Sequence, residues 1–201
     1  MKLSRLIILA ATFIAPLLAA DIDFTPHLRN AIAEGSQVRS IYFTDGVKRF
    51  GLSLGLETEA SANNNGARFT FQKLPDASFR LEPMTPQHAL PVTPALLPSV
   101  RKALVERLPS GVADLKIVEE IENPLPINQW KTHRFIFSYL QSGRRIHEAD
   151  TLLTMESGQQ VFLQTVAPES EFVKALEQSD YLIRTWHTIV SDNEKAAPAS
   201  N

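Results

Sequence analysis

The sequence predicts an α+β fold, an antiparallel sheet with helices packed on it. Three observations carry this. Phe135, Phe137 and Tyr139 recur at every second position, the period of a strand. The apolar runs from Ile146 to Met155 and from Val161 to Val166 continue as strands after breaks at Gly143 and at Ser157-Gly158, so three strands succeed one another through tight turns. Phe172, Leu176, Ile183, Trp186 and Val190 then keep steps of three, four or seven, one stripe of a helix from Glu169 to Val190. The order along the chain is strands, helix, strands, helix, which suits an antiparallel sheet covered by helices.

Register in these hairpins decides which side chains are buried, because a slip of one residue sends every side chain to the other face. A two-residue loop at Ser157-Gly158 sets Leu153 against Phe162 and Leu152 against Leu163. For the first hairpin, a loop of three or five residues around Gly143 places Phe137 opposite Ala149 and Phe135 opposite Thr151. A two-residue loop would set Phe135 and Phe137 against Asp150 and Glu148, and is rejected on polarity. Both faces of the sheet then carry apolar pairs, so both need cover.

At the N-terminus, Lys2 and Arg5 precede the apolar run Leu6 to Leu18 and the small pair Ala19-Ala20, the three-part pattern of a secretory signal peptide over residues 1–20. The run is short for a membrane span. Removing Lys2 and Arg5 from the 20 Lys+Arg leaves 18 against 22 Asp+Glu, a formal charge of -4 for residues 21–201. That balance does not suit a general nucleic-acid binder. With no Cys there are no disulfides and no lipid attachment through an N-terminal cysteine, so the core alone must hold the fold. Residues 21–190 are expected to form one domain, and the polar stretch 191–201 a disordered tail.

Asp21 to Glu34 carry a weak helical pattern through Leu28 and Ile32, stopped by Gly35. A hairpin follows, with Val38 to Phe43 and Val47 to Leu56 flanking Thr44-Asp45-Gly46. Glu57 to Gly66 reads as an exposed loop, and strands follow at Arg68 to Lys73 and Ser78 to Glu82, joined by Pro75-Asp76-Ala77. Prolines at 83, 86, 91, 94 and 98 make Pro83 to Val92 an irregular crossing segment. A helix starting at Thr93-Pro94 or at Pro98 carries the stripe Leu97, Val100, Leu104 and Leu108, and Pro109-Ser110-Gly111 ends it. Leu115 to Ile121 is a strand, leading through Asn123-Pro124-Leu125-Pro126 to Trp130.

Gly51-Leu52-Ser53-Leu54-Gly55 matches the G-x-S-x-G string of a hydrolase nucleophile elbow, which needs a strand, a sharp turn at the serine and a helix directly behind it. Ser53 instead sits within an alternating leucine pattern, where the glycines mark a bulge or close packing. His133 and His147 fall on neighbouring strands and, in the preferred register, on one face, but too far apart along the strands for shared ligation. No P-loop, dinucleotide fingerprint, EF-hand or cysteine metal site occurs, so no cofactor is expected. Arg144 and Arg145 at the hairpin tip, with Lys131 and Arg134 further along, form a modest basic edge. Arg134, Arg144 and Arg145 are the candidate partner-binding residues.

The helix Leu97 to Leu108, the strand Lys116 to Ile121, Trp130 through Tyr139 followed by Gly143, and Val161 to Val166 leading into Phe172-Val173-Lys174-Ala175-Leu176 together resemble the PsbP and DcrB-like superfamily. The resemblance covers about half of residues 21–201 and implies an N-terminal hairpin before an α/β/α sandwich with a long C-terminal helix. It also implies an accessory or binding role without catalysis. The expected function is a secreted or periplasmic non-enzymatic binding protein of the cell envelope, with a protein or envelope component as partner. The alternative is a small secreted serine hydrolase using Ser53.

Overall fold

A computed structural model describes residues 23–33, 36–45, 48–156 and 158–189. The expected signal peptide, the polar tail and the Ser157 half of one turn lie outside the described residues. Among the described residues, eleven strands form two antiparallel sheets, and two α-helices pack on the larger.

The smaller sheet has the order β1-β2-β3-β11, built from β1 (Asp23–Ala33), β2 (Ser36–Asp45), β3 (Lys48–Leu54) and the C-terminal β11 (His187–Ile189). β1 was expected as a helix. Leu28 and Ile32 are four apart, an even spacing that keeps them on one face of a strand as well as of a helix, and cross-strand pairing with β2 settles the choice. The hairpin of β2 and β3 forms, but Thr44 and Asp45, expected in its turn, pair with Arg49 and Lys48, and residues 46–47 lie outside the described residues. Ile41, Phe43, Phe50, Leu52 and Leu54 are buried, and Leu56 is outside the strand and exposed.

The larger sheet has the order β4-β5-β6-β10-β9-β8-β7. Its strands are β4 (Thr58–Asn63), β5 (Gly66–Phe71), β6 (Leu74–Met84), β7 (Ala113–Glu122), β8 (Lys131–Gln141), β9 (Arg144–Thr154) and β10 (Gln160–Pro168). β4 occupies much of the expected loop at Glu57 to Gly66. Its apolar face consists only of alanines, Ala60 and Ala62, too small to register as a strand pattern. The β5–β6 turn is at Gln72-Lys73, and Pro75-Asp76-Ala77 lies inside β6. Gly66 is obligatory at the start of β5, since a Cβ there would sit 2.1 Å from the Leu81 carbonyl oxygen.

The first long hairpin adopts the register rejected on polarity. Phe135 faces Asp150 and Phe137 faces Glu148, because Ser142 and Gly143, with φ of 50° and 78°, close a two-residue turn between Gln141 and Arg144. Left-handed residues at both central positions match the twist of the flanking strands, and turn geometry outweighs the apolar pairing. In the second hairpin Phe162 faces Leu152 and Leu163 faces Thr151, one residue from expectation, because the connection is longer: the Met155 N–H donates to the Gln159 carbonyl at 2.9 Å.

α1 (Leu97–Arg107) covers one face of the large sheet, with Val100 and Leu104 against Phe135, Phe137, Tyr139, Leu152 and Phe162. α2 (Glu169–Arg184) and the small sheet cover the other face, burying Phe172, Ala175, Leu182 and Ile183 among Ile136, Ala149, Leu153 and Leu163. α2 is unbroken at Ser179-Asp180 but ends at Arg184, short of the expected Val190. Trp186 keeps its place in the core beyond the helix end, edge-on to Trp130 at 5.3 Å and stacked on Phe43 at 5.8 Å. The architecture is thus an α+β sandwich with the N-terminal hairpin set beside it.

Candidate functional site

A cleft of about 1100 Å³ opens at the end of the large sheet where β8 begins and β9 ends. Three separate stretches wall it: the proline-rich strap between β6 and α1, the loop from β7 to β8, and the facing ends of β9 and β10. The strap makes a 3-10 turn at Pro86–His88 and a second turn at 94–96 leading into α1, with the irregular stretch 89–93 around Pro91 between them. One side chain holds it to the sheet. The Leu90 N–H donates to Gln160 Oε1 at 2.7 Å, and Gln160 Nε2 donates to the Leu90 carbonyl at 2.8 Å and to Thr154 Oγ1 at 3.1 Å. Gln160 is buried, and its amide reads both polar groups of one peptide residue.

The opposite wall is a loop that folds on Thr132. The Asn123 N–H donates to the Thr132 carbonyl at 2.7 Å, and the Leu125 N–H donates to the Thr132 hydroxyl at 3.2 Å. Further along, the Trp130 N–H donates to the Ile127 carbonyl at 2.8 Å, closing a turn whose central residues Asn128 and Gln129 have φ of 47° and 64°. Both are exposed, and among the described residues neither side chain makes a hydrogen bond within the protein.

Deeper in the cleft the polar groups are already engaged. His133 Nε2 lies 3.1 Å from Glu120 Oε1, while Arg101 Nε donates to Glu120 Oε2 at 2.7 Å. The Arg101 guanidinium, with His133 beside it, holds the Glu120 carboxyl below the usual carboxylate range. Among the described lining residues, Glu122 and Lys131 are the ionised side chains that form no ion pair.

A second polar group is sealed under α1. Asp150 and Glu148 lie on one face of β9 and are essentially inaccessible. Tyr139 donates to Glu148 Oε2 at 2.7 Å and Gln164 donates to Oε1 at 2.5 Å. Arg80 in turn donates to Gln164. Neither Asp150 oxygen makes a hydrogen bond. Burial, and then the neighbouring Glu148 charge, push the Asp150 carboxyl well above its ordinary range, and burial also raises Glu148 despite its two donors. No solute reaches these carboxyls in this structure, so they belong to the core.

The residues singled out in the sequence do not converge. Ser53 lies within β3 opposite Ser40, its N–H donating to Thr185 Oγ1 at 2.9 Å, and no helix follows it. The β2–β3 register is unbroken, so the flanking glycines mark no bulge. His133 and His147 sit on opposite faces, the latter against Phe172 of α2, a consequence of the corrected register. Among the described residues no group of three or more His, Cys, Asp or Glu is placed to hold a metal ion. Arg134 is buried on the α2 face, its guanidinium on both oxygens of Asp180 at 3.0 and 2.5 Å and on Thr151 at 2.8 Å. It does not join the hairpin tip. There, Arg144 pairs with Asp76 at 2.8 Å and Arg145 with Asp114 at 2.5 Å. Sequence reasoning marked the strap and the loop only as punctuation; the proline spacing was the one signal that they could frame a cleft.

No family model matches the chain, and no curated protein sequence matches it. Several solved structures are similar. The Pseudomonas aeruginosa protein PA94 shares 10% identity at a TM-score of 0.43, over 79% of this chain and 95% of its own. The Saccharomyces cerevisiae Ran-binding protein Mog1p shares 9% identity at 0.48, over 83% and 97%. The cyanobacterial PsbP of Synechocystis shares 9% identity at 0.49, over 70% and 86%. These are likenesses in the arrangement of strands and helices alone.

Proposed function

We propose that this is a non-enzymatic binding or accessory protein of the cell envelope, and that the cleft between the strap and the β7–β8 loop is where it binds. The observation that carries the reading is how the cleft's polar groups are used. Those in the depth are bonded to one another, which shapes and stiffens the walls, whereas the Asn128 and Gln129 amides at the mouth are left for a ligand. Catalysis would need a nucleophile within reach of a base and donors aimed at a developing charge. Among the described lining residues there is no serine, and Ser53 lies elsewhere in a paired strand.

The envelope location is supported by the charged, apolar and small-residue pattern of residues 1–20. Intact-mass spectrometry of the natively expressed protein is expected to find a chain starting near Asp21; a species that retains Met1 or Lys2 in the cytoplasm contradicts the location. For the absence of catalysis, the protein is treated with a serine-reactive fluorophosphonate probe and generic esters. No labelling is expected. Stoichiometric labelling that disappears in Ser53→Ala would overturn the binding reading in favour of a serine hydrolase.

A further inference from the structure

We infer that the cleft takes an extended, uncharged peptide segment rich in proline and small aliphatic side chains, read through its backbone amides; this rests on the cleft being the binding site. Size is the first argument. At about 1100 Å³ the cleft lies just above the range of roughly 300–1,000 Å³ typical of small-molecule pockets, and it lies between the proline-rich strap and a loop.

Charge is the second. The ionised lining residues without an ion pair, Glu122 and Lys131, are of opposite sign, and His133 is tied into the Glu120–Arg101 pair. A phosphate, a polyanion or a polycation would find no surplus of opposite charge here.

The third argument is chemical. A side-chain amide offers one donor face and one acceptor, which matches the N–H and C=O of a peptide unit. Asn128 and Gln129 present two such amides, unpaired, on a turn that forces both residues into the left-handed region. Glycine and asparagine suit such positions, whereas glutamine is strained there. Strain of this kind persists where the surroundings or a function require it. The opposite wall already shows the proposed mode, since Gln160 binds Leu90 of the chain itself by both its backbone polar groups. The remaining lining includes Pro91, Val92, Pro94 and Pro126, apolar surface suited to prolyl and small aliphatic side chains. A proline-rich segment is also extended before it binds and loses little conformational freedom.

The test uses fluorescence anisotropy of the purified protein with four terminally blocked, dye-labelled decapeptides: proline/alanine/valine, lysine-rich, glutamate-rich and glycine/serine. The first is expected to bind at least ten-fold more tightly than the other three. The double variant Asn128→Gly/Gln129→Gly relieves the backbone strain, so it keeps or raises the melting temperature, yet it should lose about ten-fold in affinity for that peptide. Thr93→Trp, at an exposed lining position, should abolish binding by filling the cleft. Equal binding of all four peptides, no binding of the first, or a preference unchanged in both variants overturns the peptide assignment. If peptides fail but photocrosslinking on envelope membranes recovers a partner whose capture Thr93→Trp abolishes, the peptide assignment falls while the cleft remains the binding site. Fluorophosphonate labelling of Ser53 would instead overturn the underlying reading.

Discussion

The buried ion pair between Arg134 and Asp180 ties β8 to α2, and removing either end should cost unequal amounts. The Arg134 side chain is only 5% exposed and the Asp180 side chain 17%. Asp180→Ala strands a guanidinium that cannot reach water, leaving it only the Thr151 hydroxyl at 2.8 Å. Loss of one partner of a buried pair typically costs about 3–5 kcal/mol, and this variant should fall within that range. Arg134→Met keeps most of the aliphatic packing and leaves a carboxylate that can turn outward, so its cost should sit at about 3 kcal/mol or below. At about 2–4 °C per kcal/mol for a domain of this size, Asp180→Ala should lower the melting temperature by roughly 6–20 °C. The double variant Arg134→Met/Asp180→Leu, with no charge left to strand, should regain much of the loss. Urea unfolding of these proteins at pH 7, with the single Asp180→Leu variant added to close the cycle, gives the coupling energy. A loss below about 1 kcal/mol for Asp180→Ala, the range of exposed pairs, would refute the reasoning and free Arg134 for the partner-binding role first considered for it.

Raised folded-state pKa values at Glu148 and Asp150 mean that the native state holds protons the unfolded chain releases, so stability should fall as pH rises from about 4 toward neutral. Asp150→Asn should flatten that slope and raise the urea midpoint at pH 7; a slope unchanged from the parent would show that the pair does not titrate between the two states. Within α2, Leu182 is buried and Leu176 only partly so, which places Leu182→Ala at about 2–5 kcal/mol and Leu176→Ala distinctly lower, as thermal unfolding of the two variants would show. Equal losses would mean that the helix is rotated from the orientation described.

Both helices and most strands were legible because their apolar stripes are long: Leu97 to Leu108 and Phe172 to Ile183 hold one face over several turns. The misreadings have separate physical causes. An even spacing of four left Leu28 and Ile32 ambiguous, and the alanines of β4 carried too little apolar surface to declare a strand. The register of β8 and β9 was misjudged by treating Asp150 and Glu148 as necessarily exposed, although Tyr139 and Gln164 satisfy Glu148 inside the core. Arg134 looked like part of a basic edge because its partner, Asp180, lies 46 positions away in the chain. The cleft was illegible for the same reason. The contact that frames it joins Leu90 to Gln160, and no local pattern announces a pairing across 70 positions.

Among the described residues the small sheet is closed by the last strand, His187 sitting opposite Gly51. A ribosome adding about 5–20 residues per second needs on the order of ten seconds to make the chain between them. Throughout that interval the outer edge of β3 has no partner, and the aromatic side chains Phe43 and Phe50 await Trp186. The first hairpins to emerge are thus the last to be completed. Until residue 189 is available, at the ribosome or, for an exported chain, beyond the membrane, the protein presents an open strand edge to whatever meets it first, and its yield should depend on a chaperone that shields that edge.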